Sequence, residues 1–299
     1  HGESAGRVVL YGPAAATGLA RAAAAALGAA LSVAASVGVM SATRSDPRMA
    51  RVLEEELAHG RRLQRSFVSL IAPDVPGYDL ASHYEAAREV GGDFFDLFRL
   101  RRRGRPLSIV IADVTGKGIA AALLMAFSRP LLHAAIDHAT GPAGALERTN
   151  RVLVGERRTT LFITALCARL DVRTGLLRFA NAGHEPPLFI PGDGSAVGLL
   201  LGSGPLLGAF AHLGVPELEA SMAPGDVVLF YTDGVTDARS ASGERFEEWR
   251  LFEAVESVRP GSARDVVNAV SGAVGRFQGS VEAADDITIV AVGRQPAPA

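Results

Sequence analysis

Residues 108–118 read Ser-Ile-Val-Ile-Ala-Asp-Val-Thr-Gly-Lys-Gly, an apolar run that reaches an aspartate and then two glycines. The β-branched residues predict a buried strand over Leu107–Ala112, and the glycines predict a turn after it. A second run, Val227-Val-Leu-Phe-Tyr-Thr-Asp233, has the same form and is followed by Gly234. The sequence therefore predicts two strands that each lead into a carboxylate.

The segments around these two runs predict further short strands, separated by longer helical stretches. Thr174-Gly175 lies at a turn, and the spacing between Leu161 and Phe189 favours antiparallel pairing over parallel crossovers. We therefore expect an α+β fold with packed sheets flanked by helices. The predicted strands are Tyr78–Tyr84, Phe94–Leu100, Leu107–Ala112, Leu161–Leu170, Leu176–Ala180, Val227–Tyr231 and Ile287–Val292, and the predicted helices cover residues 117–138, 143–156, 247–257 and 262–277.

Acidic residues also lie at the ends of two other predicted strands: Asp93 precedes Phe94, and Asp285-Asp286 precede Ile287. If the strand ends converge, two carboxylates about 4 Å apart repel by roughly 4 kcal/mol at an effective dielectric of 20, so a cation is needed between them. Hard oxygen donors, with no cysteine pair and no histidine at zinc-ligand spacing, favour Mg²⁺ or Mn²⁺. Two such ions would support displacement at phosphorus. The alternative is that each aspartate is an ordinary turn or cap residue.

Five motifs carry a resemblance to a known family. They are Glu89-Val-Gly-Gly-Asp93-Phe-Phe-Asp96, Asp113-Val-Thr-Gly-Lys-Gly118, Asn181-Ala-Gly-His184-Glu-Pro-Pro187, Tyr231-Thr-Asp-Gly-Val-Thr-Asp237 and Ala284-Asp-Asp-Ile-Thr288. In this order they resemble the PPM-type (protein phosphatase 2C-like) serine phosphatases of the RsbU and stage II sporulation protein E type. The resemblance implies a PPM-type α-β-β-α sandwich of two antiparallel sheets, and hydrolysis of phosphoserine or phosphothreonine by metal-activated water. One departure is Phe246-Glu-Glu-Trp249, where relatives commonly have Phe-Gly.

The resemblance also implies a set of site residues. Two divalent metals, Mn²⁺ or Mg²⁺, would be held by four catalytic aspartates and one backbone carbonyl, with two further acidic residues as second-rank candidates. The four are Asp93, Asp113, Asp233 and Asp285, the carbonyl is that of Val114, and the second-rank candidates are Asp237 and Asp286.

Three residues of the glycine-rich loop have two interpretations. Gly116 and Gly118 would let the backbone approach a metal-bound phosphate while Lys117, the single lysine of the chain, shapes the loop or meets an anion. Alternatively, the loop only starts the next helix. His184 could donate a proton to the leaving serine, but we favour a structural hydrogen-bonding role for it.

The chain divides by composition into four parts. Residues 1–45 are alanine-rich and contain the uncharged segment Ala22–Ala42, which fits a membrane helix and a soluble helix packed on a partner equally well. Residues 46–72 predict an N-terminal connector or regulatory helix, with a near-heptad pattern that supports a homodimer or an ordinary surface helix. Residues 73–295 form the predicted phosphatase domain and residues 296–299 a tail. We expect a cytoplasmic catalytic domain, tethered to a membrane if residues 22–42 span it.

The nearly equal numbers of acidic and basic residues limit the kinds of partner that we expect the protein to bind. A formal net charge of −2 argues against general electrostatic binding of nucleic acid. By resemblance, the expected substrate is a phosphorylated anti-anti-sigma (STAS-domain) protein in bacterial partner-switching signalling. The alternatives are a catalytically silent, phosphatase-like module that sequesters a regulatory partner, and a hydrolase of small phosphate metabolites.

Overall fold

The structure is a computed structural model that describes residues 72–88, 90–102, 104–156, 161–259 and 261–296. The expectations for residues 1–45, for all but the last residue of the connector 46–72 and for most of the tail lie outside this part. Ten strands and five helices are described. They are β1 (Tyr78–Glu85), β2 (Phe94–Arg99), β3 (Leu107–Val114), α1 (Ile119–His138), α2 (Pro142–Glu156), β4 (Ile163–Leu170), β5 (Leu176–Ala182), β6 (Leu188–Ile190), β7 (Gly198–Leu199), β8 (Leu218–Ser221), β9 (Val227–Tyr231), α3 (Asp233–Thr236), α4 (Glu247–Glu256), α5 (Ala263–Gln278) and β10 (Ile287–Arg294).

The strands form two five-stranded sheets in which all the pairings are antiparallel. The first sheet has the order β1-β10-β9-β6-β7, and the second has the order β2-β3-β4-β5-β8. The predicted antiparallel fold is therefore confirmed.

Side-chain alternation along the strands produces three buried layers. In β3, Ile109 and Ile111 point into the core between the sheets, while Val110 and Ala112 pack under α1 and α2. The first sheet does the same: side chains of β9 alternate between the inter-sheet core and a layer covered by α4 and α5. Because both faces of these strands are buried, their sequences are apolar throughout rather than alternating. The order of layers is helix, sheet, sheet, helix.

Helix α1 is, among the described residues, the one helix long and apolar enough to cross a bilayer. Its buried residues, Ala121, Met125, Ser128, Leu132 and Ile136, recur every three or four positions and face the second sheet. This spacing is that of a helix packed on a core, which passes the same test of length and composition.

A buried ionic cluster joins α1 to β2. The Asp96 carboxylate accepts a hydrogen bond from Arg129 at 3.1 Å and lies 2.8 Å from Nδ1 of His133. The His133 ring stacks on Phe98, with the ring centroids 3.8 Å apart. The side chain of Asp96 is only 5% exposed. Its contacts with Arg129 and His133 therefore attach α1 to β2 beneath the protein surface.

Arginine side chains satisfy carbonyls at the end of α1. Arg102 donates to the carbonyl of Asp137, and Arg169 donates to those of Ile136 and Ala139. These carbonyls have no partner within the helix, and cations are favourable at a helix C-terminus. The Arg-rich β2–β3 connection thus contributes one side chain, that of Arg102, to the helix cap.

Candidate active site

The predicted strand ends converge at one edge of the sandwich. Asp93 directly precedes β2 and Asp113 lies near the end of β3, so both belong to the second sheet. Asp233 follows β9, and Asp285 lies just before β10, in the first sheet. The site is therefore built from both sheets, and electrostatic interactions link Asp113 with the other three.

Asp93 is held by two hydroxyl groups from the opposite sheet. Its Oδ2 accepts hydrogen bonds from Thr232 and Thr288, each at 2.7 Å. The Thr288 amide in turn donates to the Thr232 hydroxyl at 3.0 Å. Burial raises the pKa of Asp93 well above its ordinary value, and the charges of Asp113 and Asp286 raise it further against the lowering effect of the two hydroxyls.

Asp113 lies close enough to Asp93 for the two carboxyls to influence each other's pKa. Burial, followed by the charge of Asp233, raises the pKa of Asp113 to about 7. Burial and the charge of Asp285 likewise raise the pKa of Asp233. The cluster is short of positive charge, which is the electrostatic condition for binding a cation.

Lys117 supplies part of that positive charge. Its Nζ lies 2.8 Å from Oδ2 of Asp285 and also donates to the carbonyl of Ala284. Gly116 and Gly118 on either side have φ values of 93° and 77°, a region that favours glycine. The loop thus turns sharply enough to bring the ammonium to the start of β10.

The two second-rank candidates are engaged elsewhere. Asp237 forms an ion pair with Arg245 and is about half-exposed. Asp286 is buried, and its carboxylate accepts hydrogen bonds from the amides of Ala87, Gly92 and Asp93.

Gly92 allows the two strand ends of the second sheet to approach each other. A Cβ at this position would lie 3.0 Å from the carbonyl oxygen of Val114 and 3.5 Å from Oδ1 of Asp113. Both are oxygens of the expected ligand set. Any larger residue at position 92 would crowd them.

The donor chemistry of this cluster fits Mg²⁺ or Mn²⁺, because it offers carboxylates and a carbonyl with raised carboxyl pKa values. Within the described ranges, however, no three aspartate, glutamate, histidine or cysteine side chains are placed closely enough to hold one ion together. Binding would therefore require side-chain rotation, including release of Asp285 from Lys117.

A small, open recess lies beside the carboxylates. Arg88 and Lys117 line it together with Gly92, Asp285 and Asp286. Its two cations therefore lie among carboxylates, and Lys117 is already paired with Asp285.

His184 lies away from solvent and makes the hydrogen bonds of a structural residue. Its Nδ1 is 2.8 Å from the Thr164 hydroxyl, and its backbone N–H and C=O both bond the Asn181 side chain. Burial lowers the pKa of His184 to about 4, so the ring is neutral near pH 7. This environment agrees with the structural role favoured from the sequence.

Thr232 and Thr288 were not among the residues that the sequence predicts for the site. The available signal was their position, since each hydroxyl residue lies within two positions of an aspartate at a strand end. The role of Asp96, the second aspartate of Gly-Gly-Asp-Phe-Phe-Asp, in the cluster under α1 was not predicted either.

A family model and two curated proteins are similar to this chain over most of its length. The family model described as stage II sporulation protein E (SpoIIE) matches residues 103–295. Protein IcfG of Synechocystis sp. (strain ATCC 27184 / PCC 6803 / Kazusa) is 30% identical over 267 residues, which cover 80% of this chain and 41% of that protein. Phosphoserine phosphatase RsbU of Bacillus subtilis (strain 168) is 24% identical over 243 residues, which cover 81% of this chain and 71% of RsbU.

A solved structure shows the same arrangement of sheets and helices. The RsbU and RsbW domains of Rv1364c from Mycobacterium tuberculosis match with a TM-score of 0.65 and 29% identity, covering 77% of this chain and 64% of that one. The chain thus spans less than half the length of IcfG and nearly two thirds of the mycobacterial chain.

Proposed function

Because the chain belongs to the stage II sporulation protein E family of PPM-type phosphatases, we propose that it hydrolyses phosphoserine or phosphothreonine in a protein substrate. The observation that carries the proposal is the buried carboxylate cluster contributed by both sheets, in which burial and like charge raise the pKa of Asp113 to about 7. Such a cluster of buried like charges destabilises a folded protein unless a bound cation neutralises it.

The proposed metal-binding residues are those that the sequence indicated. Asp93, Asp113, Asp233 and Asp285, with the carbonyl of Val114, would hold two divalent ions, Mn²⁺ or Mg²⁺. Bound in this way, the ions would activate water and stabilise the attacking and leaving oxygens of a displacement at phosphorus.

The chain's own residues have separate tasks in this proposal. Thr232 and Thr288 orient the Asp93 carboxylate by occupying one of its oxygens and leaving the other for a metal. Arg88 and Lys117 would neutralise and orient a phosphate in the recess, where Gly116 allows close approach of the backbone. Neutral, buried His184 supports the loop after β5 and takes no part in proton transfer.

The proposed substrate is a phosphorylated anti-anti-sigma (STAS-domain) protein. Support comes from the similarity to RsbU, which is named a phosphoserine phosphatase, and from the mycobacterial chain in which an RsbU domain is joined to an RsbW domain. The expected homodimer through residues 46–72, cytoplasmic location of the catalytic domain and membrane tether through residues 22–42 belong to this same proposal.

The test is phosphate release by the full chain from a phosphorylated STAS-domain protein and from p-nitrophenyl phosphate, with Mn²⁺, with Mg²⁺ and with EDTA. We expect metal-dependent release that is lost in Asp113→Asn and retained in Asp193→Asn, an exposed aspartate in the turn after β6. Binding of the STAS protein without release under any metal would instead support a silent module that sequesters its partner. Faster hydrolysis of small phosphate esters than of the protein would support a metabolite phosphatase.

A further inference from the structure

Asp286 has an environment unlike that of the four principal aspartates. Its Oδ1 accepts a hydrogen bond from the Ala87 amide at 2.8 Å, and its Oδ2 accepts one from Gly92 at 2.6 Å and a longer one from Asp93 at 3.3 Å. Both carboxylate oxygens are therefore occupied by backbone donors.

The segment that donates these bonds connects the two sheets. It leaves β1 in the first sheet after Glu85 and enters β2 in the second sheet at Phe94. Asp286 belongs to the start of β10 and lies 199 residues from Ala87 in the chain. One carboxylate thus fixes both ends of a crossover between sheets.

Two glycines, Gly91 and Gly234, allow the backbone to pack closely against Asp286. A Cβ on Gly91 would overlap Oδ2 of Asp286, so a side chain at position 91 and the carboxylate cannot occupy the site together. Gly234 closes the other side, because a Cβ there would overlap the Asp286 backbone carbonyl. The fit leaves no room beside Asp286 on these two sides.

We propose that Asp286 is a positioning residue: its carboxylate holds the backbone of Ala87 and of Gly92-Asp93 in place and so sets the position of Asp93 within the cluster. It does not need to touch the metal to influence it, because the Asp93 amide and the Asp93 carboxylate belong to the same residue. The hydrogen bonds themselves are independent of the proposed function, whereas their consequence for metal binding rests on it.

The first measurement is amide hydrogen exchange over residues 84–95 of the full chain in EDTA. In Asp286→Asn the amide group cannot accept at both positions, so we expect exchange in this segment to rise about tenfold or more. Asp193→Asn is the control, because this exposed carboxylate in the turn after β6 accepts from the nearby Ser195 amide and not from residues 84–95. Unchanged exchange in Asp286→Asn would overturn the proposal.

The second measurement is Mn²⁺ affinity by titration calorimetry at a temperature where circular dichroism shows the variant folded. Outer-shell partners typically change metal affinity or activity by about 10–100-fold, and we expect Asp286→Asn to weaken Mn²⁺ binding within that range. A role in stability alone would lower the melting temperature and leave the affinity unchanged. A direct ligand would weaken binding without altering exchange in EDTA, so either result contradicts the positioning role.

A second variant protects the test against misfolding of the first. Gly91→Ala should displace the same carboxylate from the opposite side and increase exchange over residues 84–95, while Gly275→Ala, which meets nothing within 4 Å in α5, should not. If the wild-type chain binds no Mn²⁺ at all, the proposed function fails while the exchange results still decide whether Asp286 holds the segment.

Discussion

The raised pKa of Asp113 predicts an unusual pH dependence of stability in the metal-free protein. The pKa of Asp113 rises from 3.8 to about 7 on folding. The folded protein therefore keeps this proton up to about pH 7, whereas the unfolded chain releases it near pH 4. The contribution to stability is fully present below the unfolded pKa and is lost as the pH rises through the folded one.

The magnitude follows from the shift. Each pH unit within that window changes the free energy of unfolding by about 1.4 kcal/mol, so raising the pH from 5 to 8 should destabilise the metal-free protein by about 3 kcal/mol through this proton. The two carboxyls titrate together, so the effect belongs to the pair. Asp113→Asn removes the titrating carboxyl of Asp113 and keeps a side chain of nearly the same size.

The assay is urea unfolding of the full chain in EDTA at pH 5, 6, 7 and 8. We expect Asp113→Asn to gain about 3 kcal/mol on the wild type between pH 5 and pH 8. Groups that titrate alike in both proteins cancel in this difference. Asp193→Asn should follow the wild type, because this exposed carboxylate is ionised throughout the range in both the folded and the unfolded chain. Parallel pH profiles for the wild type and Asp113→Asn would refute the raised pKa of Asp113.

Three further changes test other parts of the structure. Asp96→Ala should lower the free energy of unfolding by about 3–5 kcal/mol because it leaves the Arg129 guanidinium without its buried partner; Glu219→Ala, which breaks an exposed ion pair, should cost under about 1 kcal/mol in the same urea assay. Thr288→Val removes one of the two hydroxyl groups that donate to the Asp93 carboxylate, so it should weaken Mn²⁺ binding about 10–100-fold in calorimetry. Thr288→Ser keeps the hydroxyl, and its Mn²⁺ affinity should equal that of the wild type. Glu247 has φ of 61°, so Glu247→Gly should raise the free energy of unfolding by about 1 kcal/mol, and an unchanged urea midpoint would contradict the strain.

The strained backbone at Glu247 coincides with a position where the sequence departs from the family pattern. The family commonly has Phe-Gly where this chain has Phe246-Glu247. The structure places Glu247 in the left-handed region, which glycine adopts without cost and a residue with a Cβ does not.

Long apolar strands and helices could be predicted from the sequence because they are repetitive. The bounds of β9 agree with the structure, and those of α2 and α4 differ by one residue. Strands β6, β7 and β8 were missed, since two to four residues carry no readable alternation and form only by pairing with a neighbouring strand.

The site could be predicted in part for the same reason. The aspartates at strand ends are visible locally, and their convergence follows from the layered fold. The hydrogen bonds of Thr232, Thr288 and Asp286 join residues 139 to 199 positions apart. No local pattern encodes such partners, so the sequence offers Asp286 and Asp237 together as second-rank metal candidates, on the resemblance to the family.

The order of strands in the first sheet has a consequence for synthesis on the ribosome. Strand β1 is paired only with β10, among the strands described, and β10 is the last of them to be made. Until β10 emerges, β1 has no partner among the described strands, and neither Asp285 nor Thr288 is available to complete the carboxylate cluster. Contacts this distant in sequence slow folding. A nascent chain cut off before residue 285 would therefore display an open sheet edge and no assembled site, so the carboxylate cluster can form only after β10 has been made.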